Sequence, residues 1–214
     1  KGTDARMSSR DRWEELQQLL FRGGPLIALV LLVIFLSFAT PYFLTGLTSG
    51  AHTLTILAEI NDVHRLTDDQ ILTMADGYRR SGADVIDLGC SPEHPIEDLG
   101  RIVGLLRDRG YRVSADTFNE SEALSADAAG AEFILSLSSQ NIDLAGRLRH
   151  AVPVIIPDHG EGLPSLYRNI EEARRRGAGR PIADPVLDPI HFGFAASIRR
   201  YCEARQALPE TEML

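Results

Sequence analysis

From residue 54 onward, apolar runs of five to seven residues alternate six times with amphipathic stretches of 10 to 17 residues. That rhythm is the feature that most restricts the fold. Strands separated by helices pair in parallel, and their helices must cover the sheet. The predicted strands are 54–60, 84–88, 112–115, 132–137, 153–156 and 182–187. The intervening helices are predicted at 68–81, 96–109, 120–129, 142–150, 164–176 and 195–207. Gly82, Gly110, Gly130 and Gly177 fall where helix C-caps are needed.

Six such units fit either a doubly wound open sheet or most of a (β/α)8 barrel. A doubly wound sheet gathers its ligand at one switch point and carries a glycine-rich phosphate loop there. No G-x-G-x-x-G or Walker loop occurs in this chain. Nearly every strand instead ends in a polar residue: Asn61 and Asp62, Asp87, Asp116, Ser136 to Asn141, Asp158 and His159, and Asp188. A barrel brings all these ends to one rim, where its active site is built. The fold class expected is therefore α/β, an incomplete TIM barrel of about six βα units.

The residues before the repeat differ in kind. Residues 1–22 are polar and amphipathic, and no charge occurs between Gly23 and Ala51. Residues 23–47 are long and apolar enough to read as a transmembrane helix, with no small-residue cleavage site behind them. The barrel domain is expected over 52–214. The net charge of −8 argues against a nucleic-acid surface. Cys90 and Cys202 are too few for a disulfide framework. Lys1 is the only lysine, which removes Schiff-base chemistry and a lysine phosphate clamp from the repeat.

Five motifs, in order, resemble the pterin-binding family of dihydropteroate synthases and methyltetrahydrofolate–corrinoid methyltransferases. They are ILAEIND, SGADVIDLGCSPEHP, VSADTFN, AGAEFILSLS and PVLDPIHFGF, spread over about 54–193. The span LIALVLLVIFLSFATPYFLT, within residues 8–48, weakly resembles the first span of ribose-type sugar ABC transporter permeases. The first resemblance implies condensation of a dihydropterin methyl pyrophosphate with an arylamine, in folate or tetrahydromethanopterin synthesis. It implies Asp116, Asp188 and Asp87 as pterin-binding acids, with Ser136, Ser138 or Asn141 standing in for the family's fourth-strand asparagine. It implies Asn61 near pyrophosphate and Mg²⁺. A carboxylate suits the pterin edge, because a 2-amino group beside a ring N–H offers two parallel donors. The competing role for each acid is to cap the following helix.

Other residues have plainer readings. His64, His159 and His191 lack local metal-ligand spacing. Cys90 suits a small buried apolar site, and Arg174 to Arg176 suit a solvated helix end. The family's anion-binding arginine is missing from the loop Cys90 to Pro95. Residues 213–214 lie where a seventh strand would start, and a whole barrel takes roughly 250 residues. The expectation is an incomplete copy that does not turn over by itself. The expected partner is a small-molecule pterin, with no nucleic acid; a homodimer stays open. The barrel is expected in the cytoplasm, and at a membrane if 23–47 span one. Two alternatives stay open: a membrane-anchored transport-associated or binding protein with a non-catalytic barrel, and a corrinoid methyltransferase-like domain.

Overall fold

The β-branched and leucine-rich runs form six short strands: β1 (Leu57–Ile60), β2 (Val85–Gly89), β3 (Arg112–Asp116), β4 (Phe133–Leu137), β5 (Val152–Ile155) and β6 (Ile182–Ala183). All pair in parallel, in the order β1-β2-β3-β4-β5-β6. A doubly wound sheet would reverse direction at a switch point. Uninterrupted sequential order is how a (β/α)8 barrel winds, so the sheet is a partial barrel of this kind. The computed structural model describes residues 55–189 and 192–214. The apolar segment 23–47 and His191 lie outside the described residues. Among those described, no helix is long and apolar enough to cross a membrane.

Five helices cover the sheet: α1 (Asp68–Arg80), α2 (Leu99–Arg107), α3 (Glu120–Ala128), α4 (Leu163–Arg175) and α5 (Phe194–Ala207). Their starts follow from side-chain capping. Thr67 and Gln70 form a reciprocal capping box on α1. Asn119 accepts from the N–H groups of Ser121 and Glu122 at the start of α3. Gly82, Gly110, Gly130 and Gly177 all take positive φ directly after helices, as C-caps.

Several elements are shorter than the sequence pattern predicts, and in three the cause is plain. β6 stops at Ala183 instead of 187, because Pro185 has no N–H for the ladder and Val186 turns to φ 66°. The helix expected at 142–150 is a single 3₁₀ segment, Ile142–Gly146. Gly146 sits directly against the Arg176 carbonyl, and Asp127 captures the next stretch of backbone. Helix α2 begins at Leu99, not at 96, because the Ile96 N–H goes to Glu122 and Asp98 becomes the cap.

Past β6, the Ala183 N–H donates to the Glu212 carbonyl (2.8 Å) and the Leu214 N–H to the Ala183 carbonyl (3.1 Å). Met213 thus makes a parallel bridge beside β6, at the place predicted for a seventh strand.

The two faces of the sheet differ. The outer face packs Ile60, Ile86, Leu88, Val113, Ile134 and Ile155 against the helices in one large core. The inner face holds a smaller cluster of Leu135, Val154 and Ile182 with Leu57, Phe133 and Val152. Apart from Leu57, its members come from β4 to β6.

Asp127 ties α3 to the entry of β5. Its carboxylate accepts from the backbone N–H groups of Arg149, His150 and Ala151 at 2.7 to 2.9 Å. Burial pushes the group up, but these three donors outweigh it and hold the carboxyl below its ordinary range. A carboxyl held low in the folded state adds stability above its unfolded pKa, and that stability is lost as pH falls through the folded value. Asp127→Ala is expected to cost about 2 kcal/mol at neutral pH. Denaturant unfolding should also show the gap between variant and wild type closing under acid conditions.

Candidate active site

Side chains alternate across a strand, so residues two apart on β1, β2 and β3 face the barrel interior together. The register sets Glu59 opposite Asp87, Asp87 opposite Ser114, and Gly89 opposite Asp116. One carboxylate oxygen from each of Glu59, Asp87 and Asp116 lies within 4.8 Å of the others. Gly89 makes this possible: a side chain there would collide with Glu59 Oε1.

Three carboxylates this close cannot all be ionised without a partner. Asp87 is only 4% exposed. Burial raises its pKa to about 7, the Ser114 hydroxyl opposing and the charges of Asp116 and Glu59 adding. The Ser114 Oγ donates to Asp87 Oδ1 at 2.6 Å. Partial burial and the nearby Asp116 raise Glu59 as well. Burial raises Asp116, with a hydrogen bond from the Ser136 side chain pulling the other way. Asp116 Oδ1 is buried with no hydrogen-bond partner. A buried acceptor without a donor is costly and asks for one from outside the chain.

A fourth acid joins from β6. Asp184 directly follows the strand, and its Oδ1 accepts from the Val186 N–H (2.7 Å) and the Tyr201 hydroxyl (3.0 Å). Burial raises its pKa, and the charge of Asp116 adds to that. Asp188, the acid the sequence motif points to, sits elsewhere. Its Oδ2 accepts from Ser197 Oγ (2.8 Å) and Arg200 (2.9 Å) at the start of α5. Those two bonds hold its carboxyl below the ordinary range. Both donors are side chains of α5, whose N-cap is Gly193, and Asp188 is not among the acids gathered on the inner face.

The remaining predicted residues are dispersed. Asn61 is exposed at the end of β1. Ser136 occupies φ 63°, where the β4–β5 register shifts, and its side chain turns to Asp116. Asn141 Oδ1 accepts from the Ser138 N–H, leaving Nδ2 buried and unpartnered. His64 and His94 stack with ring centroids 4.9 Å apart. Among the described residues, no histidine joins a convergent group of three metal-capable side chains. The Cys90 thiol is pushed well above its ordinary range by burial and the surrounding carboxylates, so it stays protonated and unreactive.

At the C-terminal rim a cavity of about 630 Å³ is lined by Phe118, Ile156, Leu163, Val186, His159 and Arg200, and none of the four acids lines it. Glu59 and Asp184 are the two interior acids that reading the sequence missed. Glu59 was legible as a carboxylate alternating with apolar residues in Leu57–Ile60. Asp184 was legible as the first of two Asp-Pro pairs, the one that adjoins the strand.

No protein-family model matches this chain. An uncharacterized protein of Methanocaldococcus jannaschii is 30% identical over 166 residues, which is 71% of this chain and 32% of that protein. The chain thus spans about a third of the length of this curated relative. Solved dihydropteroate synthases share the fold. The Thermus thermophilus enzyme in complex with 6HMPPP superposes with a TM-score of 0.55 at 20% identity, over 74% of this chain and 69% of that one. The Xanthomonas albilineans enzyme in complex with 7,8-dihydropteroate gives 0.53 at 22%, over the same shares. The Yersinia pestis enzyme with a pterin–sulfa conjugate gives 0.57 at 18%, again over 74% and 69%. The class is therefore an α/β barrel built on the dihydropteroate synthase plan.

Asp87 gives this acid group a stability signature. A carboxyl raised from 3.8 to about 7 binds its proton more tightly in the folded state. Stability then falls as pH climbs from the unfolded value to the folded one. Asp87→Asn removes that slope. The variant should gain on wild type steadily between about pH 4 and 7 in denaturant titrations, and a constant difference across that range would contradict the assignment.

Proposed function

We propose that this barrel binds the ring of a dihydropterin as part of a dihydropteroate synthase-type transferase. The observation that carries the reading is the buried, donor-less oxygen of Asp116 at the C-terminal end of β3, in a fold shared with those synthases. A pterin offers paired N–H donors along one edge, and Asp116 with Asp184 would accept them. Burial and the charge of Asp116 raise both Asp87 and Glu59, which favours their protonated forms and reduces the charge along the acid edge. Leu135, Val154 and Ile182, buried on the same inner face, supply an apolar wall for the ring. Ser136 orients Asp116, and Asn141 fixes the loop after β4.

In the reaction implied, the bond between the pterin methylene carbon and the pyrophosphate oxygen breaks. The arylamine nitrogen forms the new bond to that carbon and loses a proton. The part these residues play is recognition: they hold the ring and fix the direction of its methylene. Mg²⁺ travels with the pyrophosphate in this scheme. Asn61 offers it one exposed neutral oxygen, which does not make an ion site by itself. The branch served is folate-type or tetrahydromethanopterin-type synthesis, and the barrel would then work where these intermediates are made, in the cytoplasm.

Calorimetric titration of the chain with 6-hydroxymethyl-7,8-dihydropterin pyrophosphate tests the reading. Asp116→Asn and Asp184→Asn are each expected to weaken binding by about 30-fold or more, as expected for losing a charged hydrogen-bond acceptor. Asp188→Asn should stay within a few-fold of wild type. Equal loss in all three, or no binding by wild type, would reject the site.

A further inference from the structure

We propose that Tyr201 is a positioning residue, holding Asp184 so that its free oxygen faces Asp116 across the barrel interior. The inference rests on the pterin-site reading, which assigns Asp184 to the ligand, and adds a group to it from outside the barrel. Its basis is the polar face of α5. Ser197, Arg200 and Tyr201 stand at i, i+3 and i+4, so they project from one side of the helix. All three reach the same loop, 184–188. Ser197 Oγ meets both the N–H and the carboxylate of Asp188. Arg200 donates to the carbonyls of Pro185 (3.3 Å) and Val186 (2.5 Å) and to Asp188 Oδ2. The Tyr201 hydroxyl donates to Asp184 Oδ1.

The loop so gripped is not relaxed. Val186 holds φ 66°, a conformation that a β-branched residue adopts only when its surroundings force it. Its N–H is spent on Asp184 Oδ1, and its carbonyl on Arg200. With Oδ1 taken by the Val186 N–H and the Tyr201 hydroxyl, Oδ2 is the oxygen left for a ligand. Strain in the loop is thus sustained by α5, and what it fixes is the direction of one carboxylate. Ser197 and Arg200 would hold the loop at Asp188 by themselves, and the tyrosine adds a bond to the acid four residues upstream.

The charged and titratable groups facing Asp184 are Asp116 from β3, and Arg200 and Tyr201 from α5. The Tyr201 hydrogen bond favours the ionised carboxylate, so removing it should move the protonation of Asp184 to higher pH. Carbon-13 NMR of aspartate-labelled protein, with the Asp184 signal identified by its loss in Asp184→Asn, reads this without any ligand. In Tyr201→Phe the Asp184 midpoint is expected to rise. Fluorotyrosine incorporation, which strengthens the phenol as a donor and keeps the ring, should lower it. An unmoved midpoint in both would overturn the proposal, even if the melting temperature falls, because a purely structural tyrosine would change stability alone.

The pterin titration separates this failure from failure of the parent reading. Tyr201→Phe should bind the dihydropterin pyrophosphate about tenfold more weakly than wild type. Its acid limb should lie at higher pH, and the effect should vanish in the Asp184→Asn background. A shifted NMR midpoint with no pterin binding by wild type would uphold the positioning role and reject the ligand. Pterin binding that is lost in Asp184→Asn but unchanged in Tyr201→Phe would do the reverse.

Discussion

Carboxylates gathered on the inner face of a parallel sheet, with Asp87 buried, Asp116 half-buried and Glu59 exposed, are the constraint on which the rest of this structure turns. Burying an ionised acid is expensive unless it is paired, hydrogen-bonded or protonated. No lysine follows Lys1, and among the described residues the arginines that pair do so mostly at the surface, as Arg101 does with Asp68 and Arg112 with Glu132. The interior therefore relies on other means. Ser114 supplies a hydroxyl to Asp87, Gly89 gives up a side chain to admit Glu59, and burial raises the Asp87 carboxyl to about 7. Asp116 is the residue for which these means fall short, since one of its buried oxygens has no donor. The likeness to synthases and the local chemistry meet at that atom.

The division of the inner face follows from the same constraint. β1 to β3 bring the acids, and β4 to β6 bring Leu135, Val154 and Ile182. A ligand filling such a space needs donors along one edge and an apolar surface elsewhere. A phosphate or a carboxylic acid would meet repulsion from the acid half. An ammonium-like or amidine-like edge on a flat ring satisfies both halves, which narrows the chemistry more than the fold alone does.

The sheet was legible in the sequence because burial on both faces leaves near-continuous apolar runs, and helical spacing separates them. Asp87 was legible because it breaks such a run and Asp116 because it ends one. The signals for the two other acids were easier to misread, for different reasons. In Leu57–Ile60 a glutamate reads as the solvent face of a half-exposed strand, and only the cross-strand register with Asp87 and Gly89 turns it inward. In the run from Ile182 to Pro189, two Asp-Pro pairs compete, and the second lies in the motif with the stronger family likeness. What separates them is where the ladder ends. Proline removes a donor at 185, β6 stops at Ala183, and Asp184 is left at the strand tip.

The two aspartates of that loop then take opposite roles through their neighbours. Asp188 meets a guanidinium and a hydroxyl at a half-exposed helix start, which lowers its pKa and occupies Oδ2 with both donors. Asp184 meets a backbone N–H and a phenol on one oxygen, with burial and Asp116 raising its pKa. The first arrangement neutralises its carboxylate with a guanidinium near the surface. The second pins one oxygen with a backbone N–H and a phenol in a more buried setting, where the charge of Asp116 is felt. A carboxylate oriented without a close ion pair stays open to a ligand's donors, whereas one already paired with an arginine has less to offer. The difference between Asp184 and Asp188 is therefore set by α5, whose Arg200 and Tyr201 divide the loop between them.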